Sequence, residues 1–324
     1  MMASAMTRRV WHSVASIAAA FVTYRLARFA DALVVRIVHP PRGEVLLVSD
    51  VILATAFGVV IYLWLNLRAT RTRLTDLERA HIVLDTQLSL AAQIQRHLLP
   101  SIPAGSNGVR WAGRLEPAYQ IGGDFYDVIP GQANDLFVVG DVSGKGIPAA
   151  LLQASAHSLF RTLARETVDP AYLLARVSHE IYAENTGSLY LTCLLVHVDG
   201  AARTVRYANA GHPAGLVLGR SGRRMLVRGG PPVGLFPETT YESEVVSVEP
   251  GDLGVIVSDG ITEALEEDGT PAVDVLNRTI CNVSEPWTPE RVCDVLMEAA
   301  QRSPGPRGVA HWQDDKTVLA FLFG

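Results

Sequence analysis

Cysteine is scarce: Cys193, Cys281 and Cys293 are the only three in 324 residues, and their spacing is not that of a metal knuckle. This excludes a disulfide scaffold or zinc ribbon and fits a reducing compartment. An excess of basic charge is also missing. With 28 basic and 33 acidic residues the formal net charge is −5, which argues against a dedicated nucleic-acid binder. Only 19% of residues are charged and 48% are hydrophobic, and no low-complexity tract or internal repeat is visible, so extensive disorder is excluded. At roughly 100–200 residues per domain, the chain holds one large domain plus an extra segment, or two domains.

A mean hydropathy of +0.20 is high for a soluble domain and points to a local concentration of apolar residues. Val45 to Leu67 is that concentration, with Asp50 its one charge. It is long enough to span ~30 Å of hydrocarbon at a rise of 1.5 Å per residue. Tyr62 and Trp64 stand at its end, followed by Arg68, Arg71 and Arg73. Aromatic belts and cytoplasmic arginines produce that order, so the rest of the chain is expected in the cytoplasm. Val10 to Tyr24 is a shorter apolar stretch, read as the first arm of a two-span hairpin. Residues 1–67 are therefore expected to form a membrane region at the inner cell membrane.

Residues 68–106 read as a signalling helix and linker. With Leu67 at heptad position a, the a set is Leu67, Leu74, His81, Leu88 and Gln95. The d set is Thr70, Leu77, Leu84, Ala91 and Leu98. Most of these are apolar, and no Gly or Pro intervenes from Asn66 to Leu99, so a parallel coiled coil joining a homodimer is expected. The competing reading is one amphipathic helix lying on the next domain. His81 and Gln95 weaken the seam. Pro100 and Pro103 end the helix, and Ser101 to Gly108 is a linker by composition.

From residue 107 to 324 strands alternate with a few helices. Strands are expected at Leu136–Gly140, Leu189–Val198, Thr204–Ala208, Gly215–Leu218, Met225–Arg228, Ser243–Val248, Gly254–Ser258 and Thr317–Phe323. Helices are expected at Ile147–Arg165, from Pro170 to Asn185, and from Pro289 to Arg302 with Thr288 as N-cap. Many strands in meander order with inserted helices imply an α+β fold of antiparallel sheets covered by helices.

Four motifs in this region set an aspartate beside glycine or a second aspartate at a strand end. They are Gly122-Gly-Asp124-Phe-Tyr-Asp127, Gly140-Asp141-Val-Ser-Gly-Lys-Gly146, Ser258-Asp259-Gly260 and Gln313-Asp314-Asp315-Lys-Thr317. Each alone reads as an ordinary turn. Together, if the strand ends meet, they place four or five carboxylates in one small volume. Two carboxylates ~4 Å apart repel by about 4 kcal/mol at an effective dielectric of ~20. Such a cluster requires cations, or protons held at raised pKa. All-oxygen donors select hard divalent ions, Mg²⁺ or Mn²⁺, whereas zinc would want His or Cys. A pair of such ions supplies a hydroxide and a clamp for a phosphoryl oxygen.

These motifs resemble those of the SpoIIE/RsbU-like branch of the metal-dependent type 2C serine/threonine phosphatases. The resemblance covers about Gln93 to Gly324. It includes the linker-helix pattern AAQIQRHLLPSIP, GGDFYD, GDVSGKG, NAGHP (Asn209 to Pro213), GGPPVGL (Gly229 to Leu235), SDGITEA (Ser258 to Ala264) and DDKT, in the family's order. It implies an α-β-β-α sandwich of two antiparallel sheets flanked by helices, with a dinuclear Mn²⁺ or Mg²⁺ site at one end. By similarity Asp124, Asp141, Asp259 and Asp314 bind metal, with the carbonyl of Val142 as a further ligand. Asp315 stands where related enzymes often carry Asn and is read as supporting the ligands; Asp127 has no assigned place. The implied substrate is a phosphoserine or phosphothreonine, on analogy a STAS-type anti-sigma-factor antagonist.

Other readings of the same residues fare worse. Gly140 to Lys145 is one residue short of a Walker loop, and Gly146 replaces its Ser or Thr. GGDFY is similar to the signature of diguanylate cyclases, but a cyclase explains neither SDG nor DDKT. Lys145 reads equally as a contact for substrate phosphate and as a solvated loop lysine. His212 is read as a turn histidine supporting the site, with general acid as the alternative. His157 is read as packed against a sheet. The serines lack a His/Asp partner for nucleophilic chemistry. A non-catalytic binding module on the same fold is the remaining alternative, and retention of all four aspartates favours the enzyme.

Overall fold

A computed structural model of the chain describes residues 24, 28–31, 48–100, 108–131, 134–167, 169–185, 189–266, 270–283, 286–303 and 314–324. In the first long helix the side chains are described from residue 55. The first apolar stretch, apart from Tyr24, lies outside the described residues. So do Val45–Leu47 of the expected span and positions 101–107 of the linker. Among the described residues no helix is long and apolar enough to cross a membrane.

The chain divides into two units, Met1–Ala80 and His81–Gly324. The division falls inside α1 (Val48–Leu98), within the segment read as the signalling helix. In the first unit the heptad residues Leu67, Leu74 and Leu77 are exposed.

The second unit begins with the last turns of α1. Here Leu88, Ala91, Gln95 and Leu98 face Ile121, Ala150, Gln153 and Ala154 across an apolar cleft. At this end the heptad side of the helix lies on the chain's own domain, which is the competing reading of the sequence. Leu99 then packs against the core between the sheets.

Two sheets follow. The first holds β1 (Val109–Glu116), β11 (Lys316–Phe323), β10 (Leu253–Val257), β6 (Gly215–Gly219) and β7 (Gly222–Leu226), in that spatial order. The second holds β2 (Phe125–Pro130), β3 (Asn134–Val142), β4 (Leu191–Asp199), β5 (Thr204–Ala210) and β8 (Gly229–Gly230), with β9 (Glu244–Ser247) also pairing β5. The pairing is antiparallel except between β5 and β8. The strand expected at Met225–Arg228 instead starts at Gly222. Gly222 has φ +102° and pairs with Gly219 across a tight hairpin turn, which brings the strand forward.

Alternation along the strands builds the layers. In β11, Leu319, Phe321 and Phe323 point between the sheets, while Val318, Ala320 and Leu322 point to the helices. Phe321 stacks on Phe137 of the other sheet at 4.8 Å between ring centroids. Helices α4 (Asp259–Ala264), α5 (Ala272–Cys281) and α6 (Pro289–Arg302) cover the first sheet through Ile261, Leu276, Val292 and Leu296. Helices α2 (Ile147–Leu163) and α3 (Pro170–Asn185) cover the second through Phe160, Leu174 and Ile181. Strands buried on both faces explain the near-continuous apolar runs in the sequence. Thr288 caps α6, accepting from the Arg291 amide at 3.3 Å.

Candidate active site

The four motifs arrive at the site from both sheets. Asp124 immediately precedes β2, Asp141 is the penultimate residue of β3, Asp259 opens α4 after β10, and Asp314 lies just before β11. Gly144 and Gly146 turn the chain after β3 with φ of +90° and +77°, a region L side chains rarely adopt. This sharp turn sends the chain from Asp141 directly into α2.

The carboxylates lie within reach of one another's charge. Burial, and then the charge of Asp141, raise the Asp124 carboxyl well above its ordinary range. Burial and the Asp259 carboxylate push Asp141 up to about 7. Burial and Asp314 raise Asp259. Lys145 stands 3.2 Å from Asp314 and 5.8 Å from the centre of the Tyr119 ring. Its ammonium supplies part of the missing positive charge.

Asp315 serves a different purpose. Its Oδ2 accepts from the amides of Gly123 at 2.7 Å and Asp124 at 3.2 Å, and its Oδ1 accepts from the Ala118 amide at 2.7 Å. The carboxylate thereby fixes the loop that carries Asp124, in the supporting place read from the sequence. Gly260 permits the close approach of the two motifs, since a Cβ there would collide with the Asp315 carbonyl oxygen.

Asp124 is held from one side. Thr317 donates to its Oδ2 at 2.6 Å, while Oδ1 is buried with no hydrogen-bond partner among the described residues. An unpartnered buried carboxylate oxygen, carboxyls raised by burial and by mutual repulsion, and an all-oxygen donor set suit a divalent cation. Val142 is near as well: a Cβ on Gly123 would meet its carbonyl oxygen at 2.8 Å and Asp141 Oδ1 at 3.4 Å. Among the described residues, no group of three or more His, Cys, Asp or Glu side chains is close enough to hold a metal ion as it stands. The residues therefore fit the group in donor chemistry, as neighbouring carboxylates with one unpartnered buried oxygen and not as a formed cage.

Asp127 lies outside this group. It is buried on β2, where Arg161 grips it with Nε to Oδ2 at 2.7 Å and Nη2 to Oδ1 at 2.8 Å. His157 Nε2 stands 3.1 Å from Oδ2. Burial pushes this carboxyl up, but His157 and Arg161 outweigh it and hold the pKa below its ordinary value. His212 is also structural. Its amide donates to Asn209 Oδ1 at 2.7 Å, its carbonyl accepts from Asn209 Nδ2 at 2.9 Å, and its Nδ1 meets Thr192 Oγ1 at 2.9 Å. Burial lowers its pKa to about 3, so the ring is neutral.

Sequence reasoning missed one contributor. Gln95 donates from Nε2 to the Gly122 carbonyl at 2.7 Å and to Gln153 Oε1 at 3.1 Å, and its Oε1 accepts from the Gly122 amide at 3.3 Å. Its polar character at a heptad a position was the available signal.

The family model described as Stage II sporulation protein E (SpoIIE) matches residues 132–323, more than half of the chain. The chain belongs to the SpoIIE family. Among the relatives of this SpoIIE-family chain, Phosphoserine phosphatase RsbU of Bacillus subtilis is 25% identical over 186 residues, covering 57% of this chain and 56% of that protein. The chain spans about half the length of the curated relatives it matches. The SiaA-PP2C domain of Pseudomonas aeruginosa superposes with a TM-score of 0.63 at 22% identity, over 76% of this chain and 99% of that one. The PP2C phosphatase domain of SpoIIE from Bacillus subtilis gives 0.58 at 19% identity, over 66% and 63%. These two structures establish that the SpoIIE-family domain has the PP2C fold.

Proposed function

We propose that the chain is a metal-dependent phosphoprotein phosphatase that hydrolyses phosphoserine or phosphothreonine. The observation that carries this reading is the nearness of Asp124, Asp141, Asp259 and Asp314, with the carboxyls of the first three raised by burial and by neighbouring carboxylates. Similarity to a protein named a phosphoserine phosphatase supports it.

Two Mn²⁺ or Mg²⁺ ions, when bound, supply an activated water and a clamp for the phosphoryl oxygens. Asp124, Asp141, Asp259, Asp314 and the Val142 carbonyl would hold them. Thr317 and Asp315 orient Asp124 for that task, and Gln95 fixes the adjoining glycine. In this reading Lys145, half-exposed beside Asp314, would contact the substrate phosphate. The neutral, buried His212 keeps the neighbouring turn in place and holds no proton for the reaction.

The substrate in this reading is a STAS-type anti-sigma-factor antagonist. Residues 1–67 anchor the protein in the inner membrane with the catalytic domain in the cytoplasm. The exposed Leu67, Leu74 and Leu77 pair two chains into a homodimer. Support for the anchor and the dimer comes from the apolar run, the arginines beyond it and the heptad pattern, and support for the substrate from the resemblance of the motifs alone.

Turnover of p-nitrophenyl phosphate by the full chain with Mn²⁺ tests the enzymatic reading. Hydrolysis that is abolished by EDTA and restored by Mn²⁺ or Mg²⁺ is expected. Activity that survives EDTA, or returns with zinc only, contradicts it.

A further inference from the structure

A second set of polar groups lies beyond the carboxylate centre. The end of α1 and the later turns of α2 border an open cavity of about 510 Å³. Its polar lining is His97, His157, Ser158, Arg161, Thr162 and Arg165, with no carboxylate among the lining residues. Asp127, the carboxylate beneath Arg161, is three positions along the chain from Asp124, about 10 Å at the rise of a strand.

The positive groups there are only partly used. Asp127 occupies Nε and Nη2 of Arg161, and Nη1 has no protein partner among the described residues. Arg165 is exposed and has no carboxylate partner among the described residues. Arg161 and Arg165 thus bring two guanidinium charges to the wall, and the buried Asp127 balances one. The Thr162 hydroxyl donates to the Ser158 carbonyl at 2.9 Å, and the Ser158 hydroxyl remains on the wall. His97 Nδ1 contacts the Gln93 carbonyl at 2.6 Å, leaving Nε2 for another partner.

We propose that this cavity binds a phosphate-like oxyanion at a site separate from the carboxylate centre. Planar guanidinium forks match the oxygens of such an anion, and hydroxyl and imidazole groups complete its hydrogen bonds. The absence of carboxylates from the lining disfavours a cation, and the polar wall disfavours an apolar ligand. The same chemistry comes from two sources: free inorganic phosphate, or a phosphorylated side chain of a protein.

Calorimetric titration of the full chain in EDTA tests the site, because the metal-free carboxylate centre repels anions. Inorganic phosphate is the first probe and a phosphoserine peptide the second. Saturable binding is expected, weakened about tenfold or more by Arg165→Ala, partly restored by Arg165→Lys and unchanged by Asp141→Asn. Arg165-dependent binding of phosphate identifies the free ion as sufficient. Binding of the peptide alone, with the same dependence, identifies the phosphorylated side chain. No saturable binding of either probe, or binding indifferent to Arg165→Ala, overturns the proposal. Arg165 is exposed, and an unchanged melting temperature in both variants verifies that the fold is retained.

Discussion

Asp315 reaches across 192 positions of sequence to accept the amide proton of Gly123 at 2.7 Å. With its bonds to Ala118 and Asp124, this carboxylate ties the start of β11 in one sheet to the loop before β2 in the other. The geometry of the candidate site therefore depends on a residue that need not touch a metal.

Asp315→Ala should destabilise the domain by about 2–4 kcal/mol, because it strands several amides that are buried or partly buried. Asp315→Asn retains one acceptor oxygen and should cost less. Chemical denaturation of both variants checks the order. Equal stability of Asp315→Ala and the wild type contradicts the clamp.

Gln95 connects α1 to the same loop from the other side. Gln95→Ala should lower turnover by about tenfold, the scale of one lost positioning contact of ~1.4 kcal/mol. Gln95→Glu keeps an acceptor but loses the donor to Gly122 and should also be impaired. Steady-state kinetics at saturating Mn²⁺ checks this. Wild-type turnover in both variants leaves the contact without functional weight.

Asp141→Asn and Asp259→Asn each remove a negative charge from a repulsive cluster. Turnover should fall by about 10²–10³-fold, the usual scale for losing electrostatic stabilisation at a reacting centre. Metal-free stability should hold or rise, whereas stabilisation by added Mn²⁺ should shrink. Thermal melts with and without Mn²⁺ read both effects in one experiment.

The raised carboxyls also fix a direction of pH dependence. Asp141 has its ordinary value near 3.8 when unfolded and is pushed up to about 7 in the fold. Between these values its carboxyl binds more protons in the folded, metal-free chain than in the unfolded one, so its contribution to stability falls as pH rises through the window. Burial lowers His212 to about 3 and lowers His197 as well, and these two rings act in the opposite direction. A comparison with Asp141→Asn cancels them. In EDTA, the melting temperature of the wild type relative to that variant should increase as pH is lowered from about 7 toward 5. A flat difference over that window, or one that grows with pH, contradicts a raised Asp141 carboxyl.

Some elements are legible because local signals agree with the fold. Pro170 and Pro289 open helices with the bounds read from sequence, and Thr288 caps the second. The carboxylates of the four motifs are legible as strand-end residues, since glycine marks each turn but the last. Other features depend on distant partners. β1 goes unread because Gly113 and two arginines break its apolar pattern; in the fold Gly113 leaves room for the Tyr126 ring. The partner of Asp127 is Arg161, 34 positions away, and no spacing rule links them. Gln95 occupies a heptad position whose pattern is the same whether a second chain or the chain's own domain covers it. Only tertiary structure distinguishes those cases.

Everything proposed for the reaction requires that Asp124, Asp141, Asp259 and Asp314 form one divalent-cation site. Calorimetric titration of the EDTA-treated, dialysed chain with Mn²⁺ reads that site without any substrate. About two ions per chain are expected for a dinuclear centre, with fewer ions or much weaker binding in Asp141→Asn and Asp259→Asn. Stoichiometry and affinity that are the same in the wild type and both variants would show that these carboxylates do not hold the metal.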